Sequence, residues 1–109
     1  MQLLIVSEYL TSYGRCPFRE WLEKLDRVIA VRVQARILRF EQGNLGDYKS
    51  IGNGVYEARL DFGPGYRLYF GKESTTLILL LCGGCKLTQN QDIHRAKVLW
   101  KNYLESKNV

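Results

Sequence analysis

Apolar positions along the chain fall first into helical stripes and then into strand-like alternation. Phe18, Trp21, Leu22 and Leu25 recur at helical spacing behind Cys16-Pro17. Proline suits the first helical position, where its missing N–H would have no partner anyway. Asp26 is a plausible cap for a second helix with Ile29, Val33, Ile37 and Phe40 as its buried stripe. Arg32, Arg36 and Arg39 line up about a quarter-turn away, and Gly43-Asn44 ends the helix. These two helices are expected to form an antiparallel hairpin. Thr88, with Gln91 three residues on, reads as a capping box for a last helix. Its apolar side is Ile93, Ala96, Trp100 and Tyr103, with Arg95, Lys97 and Lys101 in solvent.

The remaining segments read as strands. A short one at Leu3 to Ser7 precedes the helices, and another runs from about Tyr48 to Ile51. Val55–Phe62 and Tyr66–Phe70 flank Gly63-Pro64-Gly65 as a hairpin. Thr75 to Cys82 is apolar almost throughout, the mark of a central, buried strand. The order β-α-α-β-β-β-α predicts a single α+β domain over residues 1–109, with helices packed on one face of an antiparallel sheet.

The hairpin is the segment that points to chemistry. Side chains alternate across a strand, so Tyr56, Ala58, Leu60 and Phe62 share one face and Glu57, Arg59 and Asp61 the other. If Phe62 pairs with Tyr66, then Leu60 meets Leu68 and Ala58 meets Phe70 on the apolar side. The same register sets Asp61 opposite Arg67 and Arg59 opposite Tyr69. The polar face would then be an exposed cationic surface suited to a phosphate backbone.

Composition narrows the partners without naming one. The 109 residues carry 16 Lys and Arg against 11 Asp and Glu, a formal +5, which favours polyanions or an acidic protein. Leu3-Leu4-Ile5-Val6 is too short for a secretory core. The longest apolar run, Leu77 to Cys82, is far below the ~20 residues a membrane span needs. A cytoplasmic protein with no membrane contact is expected. Three cysteines argue against a disulfide framework. Cys82-Gly-Gly-Cys85 lacks a second ligand pair, and the one histidine, His94, is not at finger spacing, so no metal is expected. No glycine motif is spaced for a nucleotide, and no cofactor is indicated.

Several spaced blocks resemble one known group. They are Gly46-Asp47-Tyr48-Lys49, Ile51 to Glu57, Gly63 to Phe70 and Leu80 to Gln89, followed by Asp92-Ile93 and Ala96. In this order they resemble the addiction-module killer proteins of the RelE/HigB toxin superfamily, from about Phe18 to Trp100. The resemblance implies the microbial ribonuclease-like fold and a type II toxin: a metal-independent endoribonuclease that cuts messenger RNA, on the ribosome, and so inhibits translation. It also implies a cognate antitoxin, often with a helix-turn-helix domain, through which the pair would reach operator DNA.

Arg67, just beyond the turn, could clasp a phosphate and offset transition-state charge, and the resemblance matches it to a catalytic arginine. A structural pair with Asp61 is its other reading. Arg59 aligns with a catalytic lysine or arginine of relatives, or is an exposed strand residue. Lys86 lies where main-chain amides and a helix start favour anions. Lys49, Tyr66 and Gln89 are candidate RNA contacts, Lys49 being equally readable as a solvated loop residue. Acid–base roles are open: Glu57 as base, His94 or Tyr69 as proton donor, with His94 also readable as a surface residue. Two rivals stay open as well. One is a non-enzymatic ParE-type gyrase poison, which needs no acid–base pair. The other is a non-toxic module acting only with its DNA-binding partner.

Overall fold

The computed structural model describes residues 2–107. Strand β1 (Ile5–Glu8) leads into α1 (Pro17–Glu23), with Pro17 in the first turn, and then α2 (Arg27–Glu41). The Asp26 side chain accepts from the Val28 amide at 3.3 Å, the capping bond its position predicts. At the other end Gly43 takes φ 89°, donating to Phe40 O at 2.8 Å while Asn44 donates to Arg39 O at 2.9 Å. This pair of bonds satisfies carbonyls the helix leaves open, and a left-handed residue at that point suits glycine.

Four strands follow: β2 (Tyr48–Gly52), β3 (Val55–Arg59), β4 (Arg67–Lys72) and β5 (Leu77–Gly84). A 3₁₀ turn at Lys86–Thr88 then enters α3 (Gln89–Lys107). The α+β class holds, with one strand more than the sequence order counted. The capping box sits earlier than expected. Cys85 and Thr88 bond reciprocally at the 3₁₀ turn, and Gln91 takes no part.

The sheet order is β1-β5-β4-β3-β2. Pairs β5-β4, β4-β3 and β3-β2 are antiparallel, but β1 pairs with β5 in parallel, so the sheet is mixed. A parallel neighbour needs a crossover, and α1 through β4 provide it.

The helices do not share one face, as the sequence suggested. Phe18, Leu22, Val33 and Phe40 pack with Ala58, Leu60, Leu68, Phe70, Ile78 and Leu80 on one side. Ala96, Leu99 and Trp100 pack with Val55, Tyr69, Leu79, Leu81 and Cys82 on the other. Strand β5 is thus covered twice, which is why almost every position in it is apolar. An irregularity between Tyr69 and Phe70 leaves Leu81 as an extra residue in β5, and both Leu81 and Cys82 end in the α3-side core. Close approach of that helix depends on Gly71, where a Cβ would fall 2.2 Å from the Trp100 ring.

The β3–β4 register departs by two residues from the expected one. Glu57 faces Tyr69, Ala58 faces Leu68 and Arg59 faces Arg67. Leu60 donates to Tyr66 O at 3.0 Å, so the connection is longer than three residues, and Asp61 lies exposed within it rather than opposite Arg67. A shift of two preserves the alternation of faces, so the sorting of side chains survives although the partners change.

No helix among the described residues is long and apolar enough to cross a membrane.

Candidate functional site

The polar face of the hairpin is covered where an exposed surface was expected, because α3 lies across it. Glu57 and Tyr69 are completely buried and Arg67 nearly so. The Tyr69 hydroxyl donates to Glu57 Oε2 at 2.9 Å, and Gln89 Nε2 donates to the same oxygen at 2.9 Å. Arg67 Nε stands 3.6 Å from it, while Arg67 Nη1 donates to Gly65 O at 2.5 Å. Arg59 and Arg67, directly opposed like charges, would repel. They turn apart instead, Arg59 outward to Asp47 Oδ2 at 3.2 Å and Arg67 inward to Glu57.

Two buried atoms of this group, Glu57 Oε1 and Arg67 Nε, have no hydrogen-bond partner. Lys49 Nζ approaches Oε1 at 3.9 Å from the exposed strand β2. Leaving such atoms unpaired costs free energy, so the group is held for more than packing. Burial, then the bond to Glu57, pushes the Tyr69 phenol well above its ordinary range. Tyr69 is therefore a fixed donor to Glu57, and Glu57 has no exposed face to present to a substrate hydroxyl. In this arrangement Glu57 receives the Tyr69 hydroxyl and faces the Arg67 guanidinium beneath α3.

Lys86 is exposed beside this group, at the 3₁₀ turn, where its amide donates to Pro64 O at 3.3 Å. A Cβ on Gly65 would lie 3.0 Å from Arg67 Nη1 and 3.2 Å from Lys86 Cβ. Gly65, with φ 76°, therefore sits in close contact with the Arg67 guanidinium and the root of the Lys86 side chain, where a larger residue would be crowded. Tyr66 packs edge-on to Trp21, centroids 6.3 Å apart.

His94 does not join them. It is exposed on α3 and lines a separate cavity of about 320 Å³ with Asn53, Lys97, Trp100 and Lys101. The structure thus gathers Glu57, Arg67, Tyr69 and Gln89, places Lys49, Lys86 and Arg59 at the edge, and leaves His94 apart.

Sequence reasoning missed two groups. Arg36, read only as one of a row a quarter-turn from the apolar stripe, is buried on α2 and donates to the carbonyls of Arg59 at 2.8 Å and of Leu45 and Asp47 at 3.2 Å. It ties the end of β3 to the loop before β2. Thr88 and Asp92, i and i+4 on the α3 entry, form a short hydroxyl-to-carboxylate bond of 2.5 Å above Gly84. Their spacing was the available signal.

Cys82 and Cys85 cannot act as a pair. The chain between them is extended, which sets their Cα atoms about 10 Å apart, beyond the ~7 Å a disulfide allows. Burial pushes the Cys82 thiol up to about 12. At Cys85 burial also acts upward, but hydrogen bonds with the Thr88 side chain and the Thr88 and Leu87 backbone outweigh it and lower the thiol.

No family model matches the chain, and no solved structure matches it. The chain is 47% identical over 83 residues to an uncharacterized protein of Haemophilus influenzae, a match spanning 75% of this chain and 84% of that protein. At that identity and coverage, the chain belongs to the same family as this Haemophilus influenzae protein.

Proposed function

We propose that the chain is a toxin of the RelE/HigB type, with the corresponding ribonuclease-like fold, that cleaves messenger RNA and acts opposite a cognate antitoxin. The observation that carries the reading is Arg67, anchored from below by Glu57 and flanked across Gly65 by the turn that bears exposed Lys86. A preorganised guanidinium with an exposed lysine on the adjoining turn suits a phosphodiester whose charge grows in the transition state. Attack by the 2′-hydroxyl on the adjacent phosphorus forms the 2′,3′-cyclic phosphate and expels the 5′-oxygen. Arg67 holds the non-bridging oxygens, solvent water takes the proton that the 2′-hydroxyl loses as it bonds to phosphorus, and the Lys86 ammonium gives one to the leaving 5′-oxygen. Arg59, paired with exposed Asp47, and Lys49 would guide the strand.

The burial of Glu57 and Tyr69 favours a second reading, a non-enzymatic gyrase poison of the ParE type, which requires no base. Expression of the chain alone in bacteria, with primer extension on abundant transcripts, separates the two. Growth arrest with new 5′ ends inside coding regions, lost in Arg67→Ala, is the expected result. Arrest with intact transcripts and inhibited supercoiling would replace the nuclease with the gyrase reading. Full cleavage by Arg67→Ala would overturn the site.

A further inference from the structure

Helix α2 carries a second apolar stripe besides the one it turns to the sheet. Ile29, Val33, Ile37 and Phe40 belong to the core. Val28, Val31 and Leu38 are 67%, 56% and 60% exposed, and Ala35 is exposed with them. These four positions recur at intervals of three, four and three residues, so they share one side of the helix, away from the core. Their exposure shows that no described element covers that side.

The spacing decides what kind of surface this is. Val28, Val31, Ala35 and Leu38 fall on successive a and d positions of a heptad repeat. A strict a/d seam is narrower than the face an ordinary surface helix buries, and it matches the width of one neighbouring helix. A helix lying on a lipid surface instead presents a broad apolar face with Trp, Phe or Leu anchors. Two valines, an alanine and one leucine do not supply that face. Val28 at an a position and Leu38 at a d position have the side-chain shapes that two-stranded packing favours. Ala35 between them lets a partner backbone come close.

Charge then selects the partner. The positions flanking the seam hold Arg27, Arg32, Gln34, Arg39 and Glu41, all exposed. None of the three arginines forms a salt bridge among the described residues. Arg32 lies over the Phe62 ring, with Cζ 3.9 Å from its centroid, which holds that guanidinium beside the helix. Flanking charges of this kind set partner choice between paired helices. A second copy of the chain would bring the same excess of arginine against itself. A helix with Glu or Asp at its own flanking positions would meet unpaired cations.

We propose that the exposed seam of α2 docks an acidic amphipathic helix of a partner protein. The seam lies across the sheet from the Arg67 group, because α2 and α3 pack on opposite faces, so the proposal is independent of RNA cleavage. The test uses the whole protein and a synthetic three-heptad helix with leucine at a and d and glutamate at e and g. One control peptide carries lysine at e and g, and another has its apolar positions scrambled. Fluorescence anisotropy at low salt should show the acidic peptide binding on the order of tenfold more tightly than the lysine peptide, the discrimination a few exposed charge pairs give. Salt should shrink that advantage. Leu38→Asp should weaken binding by about tenfold or more, the effect of losing one buried leucine. Arg27→Glu combined with Arg39→Glu should turn the preference toward the lysine peptide.

Equal binding of the three peptides, or binding of none, would overturn the proposal. A parent that sediments as a dimer and becomes monomeric in Leu38→Asp would overturn it too, assigning the seam to a second copy. Binding to phosphatidylserine vesicles that Leu38→Asp abolishes, with no preference among the peptides, would assign the seam to a membrane surface instead. A melting curve for each variant distinguishes lost binding from lost folding. Should Leu38→Asp fail to fold, Val28→Asp at the other end of the seam carries the same comparison.

Discussion

Replacing Glu57 distinguishes an anchor from a base, and the two roles predict opposite patterns. Glu57 is fully buried and receives the Tyr69 hydroxyl at 2.9 Å, the Gln89 amide at 2.9 Å and the Arg67 guanidinium at 3.6 Å. Glu57→Ala removes the acceptor for all three. A buried hydroxyl left unpaired costs about 1–3 kcal/mol. A buried cation stripped of its counter-charge costs about 3–5 kcal/mol. The two share one partner and do not add, so the expected loss is about 3–5 kcal/mol. For a chain of 109 residues that is roughly 12–20 °C in Tm. Glu57→Gln keeps an acceptor for Tyr69 but loses the charge facing Arg67, and should cost about 2 kcal/mol.

Urea unfolding followed by circular dichroism, alongside RNA cleavage by the same preparations, reads both quantities. The anchor role predicts that stability falls in both variants, and that Glu57→Gln retains part of its activity because Arg67 remains in place. A Glu57→Ala protein within ~0.5 kcal/mol of the parent, the range of an ordinary surface change, with activity abolished, would refute the argument. Glu57 would then be reached by substrate, and the covering by α3 would open in solution.

Three further outcomes follow from the packing and the titrating groups. Gly71→Ala should destabilise the fold by about 1–3 kcal/mol, since its Cβ would lie 2.2 Å from the Trp100 ring; thermal melts check this, and Trp100→Leu should restore part of the loss. The Tyr69 phenol is raised above its ordinary value of 10, first by burial and then by Glu57, so the folded chain keeps a proton that the unfolded chain releases. Its contribution is intact below about pH 10 and falls as pH rises further, and urea titrations from pH 8 to 11 should show a shallower alkaline decline in Tyr69→Phe. Alkylation at pH 8 should modify Cys85 first, because its thiol is lowered, and Cys82 last, because it is buried with a thiol pushed up to about 12; Cys85→Ser should remove the fast phase.

Helix boundaries were legible because their signals are local. Pro17, Asp26 and the Gly43-Asn44 stop each act on neighbouring backbone groups, and each appears where the sequence put it. The hairpin register was not, because a slip of two residues leaves every side chain on the same face and so leaves the hydrophobic pattern unchanged. Only the loop length distinguishes the two, and Gly63-Pro64-Gly65 is compatible with both. The sequence pattern therefore put Glu57, Arg67 and Tyr69 on one face while naming the wrong cross-strand partner for Arg67 and for Tyr69.

Exposure of the site was misjudged for a different reason, and the missing signal was in the sequence. A strand covered on one face alternates, whereas Leu77 to Cys82 is apolar at every position. Such a strand needs cover on both faces, and α1 with α2 can supply only one. The stripe of Ala96 and Trp100 on α3 had to be the other, and any residue paired beside β5 on that face had to be buried with it. Arg67 and Tyr69, on the neighbouring strand, pair with Gly84 and Cys82 of β5. Their burial follows from the composition of β5. Gly84, opposite Arg67, has no side chain, and Asp92 and Thr88 occupy the space it leaves. Enlarging Gly84 should displace Asp92 and Thr88 and so loosen the start of α3, whereas enlarging Gly83 should displace Trp21 on the opposite face.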